Sequence, residues 1–385
     1  MRRIFLAIAL IVALVPAACS RRPSRVVLGI GLTSNAHPGV KLAAKEINDA
    51  GGIGGVLLEL LGMDWLEMDN AYDPASTLNW AERFAAQPDL LAVIGHNDSA
   101  TTLTAAAIYN RNKIPQIVTI ATNPSITNIG AWTYRLCLSD SDQGPALAEY
   151  AVKDWNKRRI AIFYVNDDYG RALAQLFEKH ARELGAKIIA SIMHRNALQP
   201  DDQDQIRSAL ADLKKDGAPD LIALFQRVDA AIWTVKAIHD AGMQVDILGC
   251  DNLAQASFSN FDSKSTEGIR VSQFLNLESG DARAMRFARD FRAFAGSEPD
   301  YAQAFAYDAI YLMRDAILNG RFSRAGVKAY LDRLIREKIP IHGVSGSFTL
   351  GPDHDARRLF YVAEIHDGHL RVLKALPVNA QSNSP

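Results

Sequence analysis

"AVIGHNDSATT", residues 92–102, carries the chain from a core strand into a helix through a cluster of polar side chains. Leu90 to Ile94 is a short apolar run, as in a strand buried on both faces. Gly95 breaks it, and Asn97, Asp98, Ser99, Thr101 and Thr102 crowd together before a helical stretch over 100–110. Strand, polar turn and helix make one half of a βαβ unit. In open parallel sheets the ligand crevice lies beyond the carboxyl ends of the strands. These hydroxyls therefore fall where a ligand would sit, beside a helix N-terminus whose N–H groups and dipole favour an anion. Taken alone, Ser99 or Asp98 is explained at least as well as a helix cap.

The same alternation runs along the chain. Val26 to Ile30 reads as a strand, and 39–50 as a helix with apolar residues at 40, 43, 44 and 47, ended by Gly51-Gly52. Strand 56–62 precedes helix 75–86, and strand 115–120 follows helix 100–110. After Ser139 the pattern restarts: strands 159–165, 186–192, 221–225 and 245–248 alternate with helices 171–184, 203–215 and 230–241. Two such series predict an α/β protein of two doubly wound parallel-sheet lobes. From Asp281 long helices follow (281–295, 301–318, 323–337), then strands near 347–349, 359–366 and 370–374.

A length of 385 residues suits two domains, and 48% hydrophobic with 22% charged residues marks a globular chain. Lys plus Arg (42) nearly balances Asp plus Glu (43), and no basic face suits nucleic acid. Residues 1–19 read as a signal peptide: Arg2 and Arg3 precede an apolar segment, 4–15, too short to span a bilayer. Pro16-Ala17-Ala18-Cys19 resembles a bacterial lipobox, whose Cys is lipidated and becomes the new N-terminus. That predicts a membrane-anchored lipoprotein at the periplasmic or cell-surface side, with residues 20–25 as a tether. Pro16 departs from the usual Leu-like residue, so cleavage to a soluble periplasmic protein is the alternative. Cys137 and Cys250 read as two buried thiols, a disulfide being allowed by the oxidising compartment.

Other strand ends repeat the opening motif. Ile117 to Ile120 leads into Ala121-Thr122-Asn123-Pro124. Ser99 and Thr122 then hold one carboxylate between them, with a backbone carbonyl near Ile120 accepting from an ammonium. In the second series "YVNDDYG" places Tyr169, and "LGCDN" places Asp251, at the ends of strands 159–165 and 245–248. An aromatic lid and a carboxylate are what a zwitterion needs from an opposite wall. Each alone is an ordinary packing or turn residue; four at matching strand ends are a pattern. Gln226-Arg227 closes strand 221–225 in the same way, Arg227 reaching toward a second ligand carboxylate or simply lying at the surface. His96 lacks a partner at metal-ligand spacing and reads as a loop residue. No cofactor or metal site is predicted.

"GVKLAAKEINDAGGIGG", "YDPASTLNWAERFA", "VIGHNDSATT", "SDSDQGP" and "AFAYDAIYLMRDAI", taken in order, resemble the leucine/isoleucine/valine-type solute-binding proteins of bacterial ABC transporters. The resemblance spans Val26 to about Leu373. It implies a type I periplasmic binding fold, two lobes joined by three hinge crossovers around a ligand cleft. Residues 26–139 with 271–346 form the N-terminal lobe, 140–270 with 347–375 the C-terminal lobe, and 376–385 a tail. In that family a Ser and a Thr of the first lobe hold the ligand carboxylate, matching Ser99 and Thr122; a Tyr and an acidic residue of the second match Tyr169 and Asp251. Two departures bear on ligand choice. The loop "GLTSNAHPGV" is shorter than usual, and position 98 is Asp where branched-chain binders can carry a disulfide Cys. The implied function is capture of an amino acid, amide or aromatic acid for an ABC permease, without catalysis. A ligand-sensing receptor of the same fold is the alternative. An exported hydrolase has no Gly-x-Ser-x-Gly or His-Glu-x-x-His to support it, and "GGIGG" at 51–55 follows a helix, as a turn does.

Overall fold

The computed structural model describes residues 23–63, 73–195 and 199–376; the leader with Cys19, the first part of the tether and the tail from 377 lie outside the described residues. The first series runs β1 (Val26–Gly31), α1 (His37–Asp49), β2 (Leu58–Leu61), α2 (Pro74–Ala85), β3 (Leu90–Gly95), α3 (Ser99–Arg111), β4 (Gln116–Val118) and β5 (Thr133–Arg135). The second runs α4 (Asp140–Glu149), β6 (Arg159–Val165), α5 (Asp168–Glu183), β7 (Lys187–His194), α6 (Pro200–Lys215), β8 (Leu221–Phe225), α7 (Val228–Asp240), β9 (Asp246–Gly249), the short α8 (Ala256–Ser259) and α9 (Ser263–Thr266), and β10 (Arg270–Gln273). The chain closes with α10 (Ala282–Ala295), α11 (Tyr301–Asn319), α12 (Arg324–Arg336), β11 (Ile341–Gly343), β12 (Gly346–Leu350), β13 (Ala356–Arg357), β14 (Phe360–His366) and β15 (His369–Leu376).

The first lobe is a five-stranded parallel sheet in the order β2-β1-β3-β4-β5. Side chains alternate across its two faces. Val27 and Val93 pack with Ala81, Phe84 and Ile108 of α2 and α3, whereas Leu28 and Ile94 join the main core with residues of α1 and α11. Both faces are covered, so β1 and β3 are buried throughout and read as unbroken apolar runs. At the end of α1, Gly52 takes φ +79°, and a Cβ there would lie 2.2 Å from the Val56 carbonyl oxygen. The expected turn at 51–55 follows from that close approach.

The second lobe has seven strands in the order β15-β14-β10-β9-β8-β6-β7. Its inner strands are parallel; β14 runs antiparallel to β10 and forms a hairpin with β15. A small antiparallel sheet, β11-β12-β13, touches the edge of the first lobe through an Arg135–Asp355 bridge. These pairings shift two crossovers from the predicted boundaries. β10 belongs to the second sheet, so the chain leaves that lobe after Gln273 and not at 270. Residues 341–357 stay in the small sheet beside the first lobe, so the last passage follows Arg357 and not 346.

No element is assigned from the sequence between Ser139 and Arg159. The structure forms α4 there, across Gly144-Pro145. Ser139 Oγ caps it from the Ser141 N–H at 3.3 Å, and Gly144 lets the helix lie against Leu176 of α5, where a Cβ would come within 2.8 Å.

Candidate functional site

Helix N-termini meet at one gap between the lobes, two of them delivered by sheet strands and that of α11 by the turn after α10. Asp98 caps α3, Asp167 caps α5 and Asp300 caps α11, each accepting first-turn N–H groups. Around these caps the walls enclose a cavity of about 140 Å³, close to the roughly 150 Å³ hollow that accommodates a benzene ring. Thr33, Asn97, Asp98, Ser99, Ile120 and Ala121 line it from the first sheet, Tyr301 and Ala302 from α11. Tyr169, Arg227, Asp251, Asn252 and Gln255 face them from the second lobe.

Five of the seven residues named for ligand contact therefore reach the cavity: Ser99, Ile120, Tyr169, Arg227 and Asp251. Ser99 is 1% exposed; its Oγ accepts from the Asn123 N–H at 3.3 Å and keeps its own hydrogen to donate. Tyr169 is less a lid than a support: its hydroxyl donates to Asp251 Oδ1 at 2.8 Å, and Gln143 Nε2 donates to the same oxygen at 3.1 Å. Burial raises the Asp251 carboxyl above the ordinary range while these two hydrogen bonds pull it back. Arg227 is half-buried and donates to Asp167 Oδ2 at 2.7 Å.

Two residues do not stand on the wall. Thr122 lies within it, donating from Oγ1 to Asp140 Oδ2 at 3.0 Å, so its hydroxyl hydrogen is committed to the hinge. Gln226 is fully buried and faces the lobe interior, its amide nitrogen 2.7 Å from His194 Nε2 and 3.1 Å from Thr234 Oγ1. Both sit at the right strand ends; the direction of the side chain separates them from the cavity. His96, expected in a loop, is buried, meets the Tyr109 hydroxyl at 2.8 Å and is held near pKa 4 by burial, hence neutral. Cys137 and Cys250 are free buried thiols. Burial pushes the Cys250 thiol up to about 12.

Sequence reasoning also missed the polar scaffold behind the cavity. Asp140, on the first crossover, accepts from Thr122 of one lobe and from Gln143 Nε2 at 3.0 Å in the other. Arg135 grips Asp355 with two bonds, Nε–Oδ1 at 2.8 Å and Nη2–Oδ2 at 2.7 Å, and donates to the Asn123 carbonyl at 2.7 Å. It thereby fixes the loop that carries Ile120 and Ala121 to the wall. Arg358 donates to the Leu136 carbonyl and Asp308 accepts from the Val344 and Ser345 N–H groups. The signal for part of it was "SDSDQGP", whose Asp140 accepts from Thr122 and whose Gln143 donates to Asp140 and Asp251.

Two α/β lobes joined by three passages of chain, with a polar cavity enclosed between their strand ends, define a binding protein that closes around a ligand. The periplasmic binding protein family model matches residues 32–369, and the chain belongs to that family of solute-binding proteins, which are not enzymes. Leu/Ile/Val-binding protein homolog 1 of Brucella suis is 26% identical over 352 residues, covering 88% of this chain and 89% of the relative. The Leu/Ile/Val-binding protein of Escherichia coli is 28% identical over 244 residues, 62% of each chain. Among solved structures, a leucine binding protein from Thermotoga maritima superposes with a TM-score of 0.81 at 22% identity, covering 91% of this chain and 99% of that one. A solute-binding protein from R. palustris in complex with benzoate gives 0.79 at 18% identity, covering 93% and 98%. At those identities the structural likeness is one of fold.

Proposed function

We propose that this protein captures a small amino acid or related carboxylate in its interlobe cleft and delivers it to an ABC transporter permease, held at the membrane by lipid on Cys19. The observation that carries the reading is the cavity wall itself. Ser99, in the first turn of α3, offers a hydroxyl donor to a carboxylate, and the Ile120 carbonyl and Asp251 supply acceptors for an ammonium. Relatives named for leucine, isoleucine and valine binding, and fold neighbours solved with leucine or benzoate, support the same class of ligand. The cleft works by differential contact: a ligand touching both walls stabilises the closed arrangement over the open one. Micromolar to submicromolar capture requires about 8–10 kcal/mol, within reach of a paired charge clamp in a dry cleft.

A thermal-shift panel of amino acids, amides and aromatic acids tests this directly. The best ligand should raise the melting temperature in proportion to the logarithm of its concentration over Kd. Ser99→Ala should remove most of that shift, measured against the variant's own unliganded melting point, which itself falls because the buried Asn123 N–H loses its acceptor. A full shift retained in Ser99→Ala would overturn the carboxylate assignment.

A further inference from the structure

The cavity wall has more hydrogen-bonding capacity than an α-carboxylate and an α-ammonium can use. Asn252 and Gln255 lie on and just after the 3-10 turn that follows β9, both half-buried and both on the wall. Among the described residues, neither side-chain amide is hydrogen-bonded to another group of the protein. Across the gap, Asn97 Oδ1 accepts from Thr33 Oγ1 at 2.9 Å, which leaves the Asn97 amide N–H groups to face the cavity. Amides from both lobes thus line one cavity, whereas a branched aliphatic side chain needs an apolar wall. Burying them against methyl groups leaves donors and acceptors without partners, and a site built on hydrogen bonds discriminates strongly against ligands that lack them.

Charge decides which polar group fits. Arg227 is already matched by Asp167 at 2.7 Å, and Asp98 of the opposite wall lies within electrostatic reach of both. One Asp98 oxygen is buried with no hydrogen-bond partner. Arg227 is thus already paired with a carboxylate of the protein and has no unmatched positive charge to offer a second ligand carboxylate.

Building on the cleft reading above, we infer that the ligand is an amino acid whose far end is an uncharged hydrogen-bonding group, a carboxamide before all others, and that Asn252 and Gln255 are the residues that select it. A carboxamide both donates and accepts, as the facing amides do.

Titration calorimetry on the purified protein with L-glutamine, L-asparagine, L-leucine and L-glutamate separates the outcomes. Glutamine or asparagine should bind at least about tenfold tighter than leucine and tighter than glutamate. The double variant N252L/Q255L should weaken the preferred amide by at least about tenfold and strengthen leucine. Leucine binding as tightly as the amides in the wild type overturns the inference and leaves the cleft reading standing; glutamate in first place overturns the neutral far end. Amide affinity unchanged in a folded N252L/Q255L also overturns it. Should that variant not fold, the wild-type ranking decides alone. Absence of binding by any of the four, and by benzoate, sinks the cleft reading itself.

Discussion

Asp140 shows how a single carboxyl ties the two lobes and makes them sensitive to pH. Fully buried and facing Asp251, with Thr122, Gln143 and a more distant Arg135 around it, it is pushed up to about 7, mainly by burial and next by the Asp251 charge. An unfolded Asp releases its proton near 3.8, the folded one near 7. Between those values the folded chain holds the extra proton, so stability falls as pH rises and the loss is complete above about 7. Asp140→Asn should flatten the fall in melting temperature between pH 5 and 7.5. An equal slope in both proteins would assign the pH dependence to another group. The neighbouring residues mark the limit of legibility at this scale. Strand ends are written in the sequence as apolar runs that stop at hydroxyls, and Ser99, Tyr169 and Asp251 follow from them. Side-chain direction at those ends is not, because it depends on partners distant in the chain: Asp140 takes the Thr122 hydroxyl and His194 with Thr234 takes Gln226.

Elements were legible where burial is complete and obscure where polar bonds replace it. β3 and β8 are apolar from end to end and announce themselves. β10, Arg270–Gln273, has Val271 as its one apolar residue, Ser272 donating to Gln143 and Arg270 to Glu364, so no hydrophobic pattern marks it. α1 and α11 were both predicted, yet their close approach could not be. Gly39 of α1 sits on the backbone of Gln303, and a Cβ there would lie 2.1 Å from the Gln303 carbonyl oxygen. Neither helix has a flexible side chain at that point to give way. Gly39→Ala should therefore force the helices apart and cost about 1–3 kcal/mol, read as a lower urea midpoint with an unchanged m-value. Because Asn35, Tyr301 and Ala302 beside this contact line the cavity, ligand affinity should fall with it. A Gly39→Ala protein as stable as the wild type would show that the helices pack more loosely than described.

For the whole molecule the question is what the ligand adds to closure. The lobes already meet across the cleft: Asn123 Nδ2 of the first donates to the Asp168 carbonyl of the second, and α3 packs against α5. The bonds of Arg135, Asp140 and Arg358 are made at or next to the passages of chain between the lobes. Asn123 stands on the loop after β4, and its bond to Asp168 spans from one lobe to the other. A bond present only in the closed state shifts the opening equilibrium and thereby the apparent Kd, without entering the stability of either lobe. Asn123→Asp isolates it: the carboxylate can still accept from the Ser125 N–H, as Asn123 Oδ1 does at 2.9 Å, but has no hydrogen to give to Asp168. A net hydrogen bond of about 1 kcal/mol corresponds to roughly a fivefold change in binding. The variant should bind its ligand at least about fivefold more weakly, unfold at nearly the wild-type temperature without ligand, and show in small-angle scattering a larger radius of gyration at subsaturating ligand. Equal affinity in the two proteins would mean that capture does not depend on the lobes meeting at this point.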